Sequence, residues 1–321
     1  MSTYNDPPVI LPGSASRSLT MDICHELAVP MGDLMVERFS DAETFVKIGN
    51  NLRGRDVFIV QSTSNPVNEN LMELLLTIDA ARRASADRIT AVIPYYGYAR
   101  QDRKSQGRVA LSAKLVANMI ATAGADRVLA LNLHSAQIQG FFDLPLDHLE
   151  ADPILVKCIR ELGLKNACVV SPDVGNVKSS RNFADMIKTP LAIIDKRRPR
   201  PNESEVMAII GKVYVENNDV VIFDDMIDTA GTICNAARAL RDAGARDVYA
   251  IATHGVFSGP ALERLAEAPF KEVIVTNSIA QDKSALSGKV RLLNIAPLLA
   301  SAIDRIHRHT SVSALFRDEI G

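Results

Sequence analysis

Two similar parallel α/β domains are the fold class this chain predicts, and three observations carry it. One pattern recurs over residues 80–96, 121–134 and 241–254: an alanine-rich helical segment, a small-residue turn, a charged pair, then an apolar strand ending on polar residues. Each copy reads as the helix-to-strand return of a βαβ unit, and the strands are continuously apolar, as strands covered on both faces are. A strand, loop, helix, strand succession occurs in both halves. It sets a boundary near residues 151–153 and gives domains 1–150 and 151–321.

In chain order, residues 57–61 (VFIVQ) form a strand that leads into a helix over 67–84, where Val67, Leu71, Leu74, Leu75 and Ile78 recur at helical spacing. Gly124 and Gly244 stand where a left-handed helix end favours glycine. A helix over 154–162 opens the second half, and strands follow at 167–171 and 191–194. Residues 220–224 (VVIFD) form the strand before a helix from about 231 to 242.

The chain has 321 residues, 47% hydrophobic and 23% charged, which excludes disordered and collagen-like classes. Its 36 basic residues against 38 acidic ones leave a net charge of -2, so no bulk positive field attracts nucleic acid or an anionic membrane. Any polyanion site must be local. Four cysteines, Cys24, Cys158, Cys168 and Cys234, include no Cys-x-x-Cys pair, and they read as buried thiols in a reducing compartment. With no apolar run of the roughly 18 to 20 residues a membrane span needs and no signal-peptide layout at the start, a cytoplasmic protein is expected.

Ligands of open parallel sheets bind beyond the carboxyl ends of the strands. There the most informative stretch is residues 220–232: an apolar strand delivers Asp224 and Asp225, and Asp228, Thr229, Ala230, Gly231 and Thr232 open a helix. Backbone N–H groups at such a start, with the two threonine hydroxyls, can cradle a phosphate, and Gly231 permits close approach. The carboxylates repel that phosphate but accept from ribose hydroxyls, so the loop suits a sugar phosphate. The competing reading is helix capping by Asp228 or Thr229 beside two solvated aspartates.

This loop resembles the phosphoribosyl diphosphate signature of type I phosphoribosyltransferases and their relatives. Three further stretches, residues 98–104 (YARQDRK), 134–143 (HSAQIQGFFD) and 194–201 (IDKRRPRP), narrow the resemblance to the class I ribose-phosphate diphosphokinase family, over about residues 38–316. The resemblance implies two domains of the type I phosphoribosyltransferase-like fold, each a mostly parallel sheet flanked by helices. It implies transfer of the β,γ-diphosphate of ATP to the 1-hydroxyl of ribose 5-phosphate, with AMP leaving.

The residues fit that chemistry. Phosphoryl-type transfer depends on positioning and charge neutralisation. Lys196 and Arg198 lie in a cationic, proline-punctuated segment that reads as a flap able to close over the transferring group; alone, it reads equally as a solvated basic loop or a nucleic-acid patch. His134 ends a buried strand and Asp173 follows another, and the resemblance makes them contacts of Mg2+. Gly-x-x-x-x-Gly-Lys-Ser/Thr and Gly-x-Gly-x-x-Gly are both lacking, and ATP is assigned by resemblance to Phe39, Asp41, Glu43, Arg100, Gln101 and Asp102. Phe39 can stack on a base, although without the resemblance a core aromatic is the preferred reading, and Arg100 can fork a phosphate.

The resemblance further implies that the Phe39 loop completes a neighbouring subunit's site, in a homo-oligomer that is at least a dimer and by family a hexamer. It implies activation by phosphate and inhibition by ADP at Arg53, Ser85, Arg108, Ser311 and Ser313, with Asn51 where serine is usual. Three departures stand out: Asn132 replaces an aspartate, Asn176 a glycine, where a left-handed backbone is expected, and Ser179 an arginine. They keep open a catalytically weak regulatory homologue that binds nucleotide. A phosphoribosyltransferase acting on a base would need a hood for which this sequence has no segment.

Overall fold

A computed structural model describes residues 6–197 and 206–316. The chain divides into two compact units, one formed by the residues up to Glu150 with Ser278–Ala280 and the segment from Asn294 onward, the other by Ala151–Asn277 and Gln281–Leu293.

The first unit runs β1 (Val9–Pro12), α1 (Arg17–Leu27), β2 (Leu34–Arg38), β3 (Thr44–Ile48), β4 (Asp56–Val60), α2 (Val67–Arg83), β5 (Arg88–Ile93), α3 (Ser112–Ala123), β6 (Arg127–Leu131) and β7 (Leu146–Leu149). A wholly parallel sheet has the order β1-β4-β5-β6-β7, and β2 and β3 pair antiparallel as a separate hairpin. Every residue of β4 is buried, because helices cover both faces of the sheet. Leu71, Leu74 and Ile78 of α2 join that core. Gly124 ends α3 at φ 113°, in the left-handed conformation its position called for.

The second unit runs α4 (Asp152–Glu161), β8 (Cys168–Ser171), α5 (Val177–Ile187), β9 (Leu191–Arg197), β10 (Val206–Ile210), β11 (Asp219–Ile227), α6 (Gly231–Asp242), β12 (Asp247–Gly255), α7 (Ala261–Glu267), β13 (Glu272–Thr276) and β14 (Val290–Leu293). Its sheet has the order β10-β9-β8-β11-β12-β13-β14, parallel except for the edge strand β10. Both units are therefore helix-flanked parallel sheets, as the sequence predicts. All four cysteines are buried.

Three expectations change. Strand β9 continues past residue 194 through Arg197, with Lys196 opposite Met207 of β10, because an antiparallel partner supplies the ladder that a lone cationic segment lacks. Strand β11 likewise extends past Asp224 to Ile227, so Asp225 also lies within it. Finally, the described residues after Ala151 divide between the two units. The last helix, α8 (Ala296–His307), belongs to the first unit, where it packs on α1 and buries Leu299, Ile303 and Ile306. There His307 Nδ1 lies 2.7 Å from Asp56 Oδ2, while Arg88 donates to both oxygens of Asp56 at 2.8 and 2.6 Å and to the Ile306 carbonyl at 3.0 Å.

Candidate active site

In the second unit the carboxyl edge of the sheet gathers carboxylates. Asp225 N–H donates to Asp224 Oδ1 at 2.9 Å, holding the two acids side by side on β11. Burial, then the charge and hydrogen bond of Asp225, and the charge of Asp173 from the neighbouring loop push the Asp224 carboxyl up to about 8. A cation or donor-rich ligand at this edge would favour its ionised form.

The loop after β8 is tied to the same edge. Asn176 N–H donates to Asp173 Oδ1 at 3.0 Å, and Ser171 Oγ donates to the Asp173 carbonyl at 2.7 Å. The carboxamide of Asn176 donates to the Phe223 carbonyl at 2.8 Å, linking this loop to β11 one residue before Asp224. Asn176 has φ -93°, so the expected left-handed turn is not formed. The residue stands just before α5 in a conformation open to any side chain, and its carboxamide makes a bond that glycine could not. Ser179 is exposed on α5.

Downstream, the nest is open. Helix α6 begins after Ala230, at φ 59° and ψ 1°, with no side chain capping its first turn, so the helix start carries no capping hydroxyl or carboxylate. Alanine in that left-handed conformation stores strain of the kind concentrated at binding turns. The turn is braced from behind: Arg264 of α7 donates to the Thr229 carbonyl at 2.9 Å, and Ser258 N–H donates to the Asp228 carbonyl at 3.1 Å. Arg264 escaped the sequence reading because it acts on a backbone oxygen from a remote helix. Lys196 lies on β9, and Arg198 lies outside the described residues.

In the first unit, His134 follows β6 after Asn132, whose φ of 38° is left-handed and whose N–H donates to Leu149 of β7 at 2.9 Å. The turn Ala136–Phe141 comes next, and Gln137 Nε2 donates to Asp102 Oδ2 at 2.9 Å, so two of the motifs meet. Gln101 accepts from Ser112 Oγ, and its carbonyl accepts from Ala113 N–H at 3.3 Å, fixing the Arg100, Gln101 and Asp102 loop to the start of α3. At the tip of the β2–β3 hairpin Phe39 is 56% exposed, its ring centroid 5.7 Å from that of Phe45, and Arg38 pairs with Glu69 of α2. Asp41 Oδ1 accepts from Glu43 N–H at 3.1 Å. Phe39 is therefore a presented aromatic, not a core one.

Of the anion set, Arg53 and Ser85 sit on loops joined by Gly54 N–H donating to the Ser85 carbonyl at 2.9 Å. Arg108 stands exposed between β5 and α3, and Ser311 and Ser313 follow α8.

Comparison with known proteins adds the following. The family model described as the N-terminal domain of ribose phosphate pyrophosphokinase matches residues 8–124, and that of the phosphoribosyl synthetase-associated domain matches residues 197–317. A ribose-phosphate pyrophosphokinase of Halalkalibacterium halodurans is 51% identical over 317 residues, 98% of this chain and 100% of the relative. Another, of Clostridium tetani, is 55% identical over 310 residues, 96% of each. The crystal structure of phosphoribosylpyrophosphate synthetase from Mycobacterium smegmatis is 42% identical with a TM-score of 0.89, covering 95% of this chain and 100% of that one.

Proposed function

The chain belongs to the ribose-phosphate pyrophosphokinase family, and from that premise we propose how its residues carry the reaction. It is a ribose-phosphate diphosphokinase, moving the β,γ-diphosphate of ATP to the 1-hydroxyl of ribose 5-phosphate to give 5-phosphoribosyl 1-diphosphate and AMP for nucleotide biosynthesis. The observation that carries the residue-level reading is the paired carboxylate of Asp224 and Asp225 beside an uncapped helix start.

The 5-phosphate sits in the nest of Asp228, Thr229, Ala230, Gly231 and Thr232, and the ribose hydroxyls donate to Asp224 and Asp225. Phe39, Asp41 and Glu43 take the adenine, and Arg100, Gln101 and Asp102 take the triphosphate. The anomeric oxygen attacks the β-phosphorus in line while Lys196 and Arg198 neutralise the developing charge. No strong general base is required.

Asp173 supplies an oxygen donor of the kind a hard cation takes, and a divalent ion near it would offset the charge that Asp225 and Asp173 place on Asp224. Such a cation is commonly held by one or two protein groups plus substrate phosphate oxygens. We assign it as Mg2+, with Asp173 and His134 as its protein contacts. When bound, it neutralises and orients the phosphate oxygens.

The exposed Phe39 supports a homo-oligomer, at least a dimer and by family a hexamer, in which the hairpin completes a neighbour's ATP site. Phosphate and ADP are the effectors assigned to Arg53, Ser85, Arg108, Ser311 and Ser313. No helix among the described residues is long and apolar enough to cross a membrane, and cytoplasmic residence is the compartment proposed. The Asn176 carboxamide, which ties the Asp173 loop to β11, supports an active enzyme over a regulatory homologue.

The test is phosphorus NMR of ATP, Mg2+ and ribose 5-phosphate with the protein. AMP and 5-phosphoribosyl 1-diphosphate should grow in equal amounts; ADP as the nucleotide product would overturn the reading.

A further inference from the structure

We propose that His148 is a positioning residue for the turn that bears His134: its Nε2 accepts the Leu133 N–H and so fixes the direction in which the next side chain leaves β6. This rests on the assignment of the metal to His134.

Strand β6 pairs with β7 through Leu131 opposite Leu149, and Asn132 N–H still reaches the Leu149 carbonyl at 2.9 Å. The next amide, that of Leu133, takes a side-chain acceptor instead. It belongs to a residue only 7% exposed, so water is a poor substitute. Nε2 of His148, on β7, takes it at 3.0 Å. An imidazole nitrogen accepts only when it carries no proton, so the ring is uncharged with its hydrogen on Nδ1. Nδ1 lies 3.3 Å from the carboxamide nitrogen of Gln139, which donates to the Ala136 carbonyl at 3.1 Å, so this second contact is one of packing. Gln139 lies in the turn Ala136–Phe141, in which Gln137 holds Asp102. One ring thus touches both sides of the segment that presents His134. Partners of this outer kind orient a ligand without touching the ion and commonly change metal affinity by about 10- to 100-fold.

Full-length His134→Ala, His148→Leu and His148→Gln enzymes test this. Glutamine sets an oxygen near the position of Nε2 and can accept the same N–H, whereas leucine keeps the bulk without an acceptor. Mn2+ is titrated by electron paramagnetic resonance with α,β-methylene ATP present, and hydrogen exchange at the Leu133 amide is followed beside the steady-state constants. His148→Leu should speed that exchange and weaken Mn2+ by about 10-fold, raising the metal concentration for half activity while kcat at saturating metal stays within about threefold. His148→Gln should restore both. Wild-type Mn2+ affinity in His148→Leu, with affinity lost in His134→Ala, overturns the positioning role alone. Unchanged affinity in His134→Ala overturns the metal assignment and the proposal with it. His148→Phe, which keeps the ring shape, takes the place of leucine if that variant folds poorly, and the same outcomes decide.

Discussion

Replacing Asp224 by asparagine should make the ligand-free protein less sensitive to rising pH. The Asp224 carboxyl is pushed from 3.8 to about 8, first by burial and then by Asp225 and Asp173. Between those two values the folded chain holds a proton that the unfolded chain has released, so stability falls as pH rises through the window. At about 1.4 kcal/mol per pH unit, the full rise corresponds to ~6 kcal/mol, an upper bound because water screens a half-open sheet edge. Asparagine keeps the shape and carries no titrating proton. The difference in melting temperature between variant and wild type should therefore grow in the variant's favour by roughly 3 °C per pH unit from pH 5 to 8, then level off. Saturating Mg2+ with ribose 5-phosphate should shrink the gap by stabilising the ionised wild type. A difference independent of pH would refute the account of Asp224, since only a proton held in the folded state gives that slope.

Other expectations concern the reaction and the fold. Lys196→Ala and Arg198→Ala should each lower kcat by about 100-fold or more with smaller changes in KM; unchanged turnover in initial-rate assays would remove them from the mechanism. Asp225→Asn should raise KM for ribose 5-phosphate by about 10-fold or more, as lost charge-assisted hydrogen bonds would, while an effect confined to ATP would mean the loops are assigned to the wrong substrates. Arg264→Ala should loosen the turn at Thr229 and weaken ribose 5-phosphate more than ATP, measured by calorimetric titration. Asp56→Ala leaves Arg88 and His307 without their shared carboxylate and should cost ~3 to 5 kcal/mol in urea unfolding. Activity that stays flat from zero to tens of millimolar phosphate would exclude the effector role of Arg53 and Ser85.

Most of the framework is legible in sequence because buried parallel strands leave an unambiguous trace: residues 57–60 of β4 and 220–223 of β11 are unbroken apolar runs, and the residues from Gly231 to Asp242 form the helix their periodicity implies. The failures share one cause, since each depends on a partner distant in the chain. Lys196 and Arg197 look like loop until β10 pairs with them. Helix α8 reads as part of the second half until Asp56 and Arg88, more than two hundred residues earlier, bind its last turn. At the site, acids and hydroxyls announce themselves by type. Arg264 and His148 do not, because both act on backbone groups, and no local spacing reveals which backbone group a long side chain will reach. Asn176 was visible as a departure, but its use, a carboxamide bridge to the Phe223 carbonyl, follows only from the adjacency of β8 and β11.

The central claim is that diphosphate passes from ATP to a ribose 5-phosphate seated on the loop after β11. It is tested most directly by AMP released from ATP with and without ribose 5-phosphate, in the wild type and in Asp224→Asn. The account predicts AMP formation that requires the sugar phosphate in the wild type, and that in the variant demands much more of it at an unchanged KM for ATP. AMP released equally without ribose 5-phosphate, or no AMP from a chain that binds ATP, would contradict it.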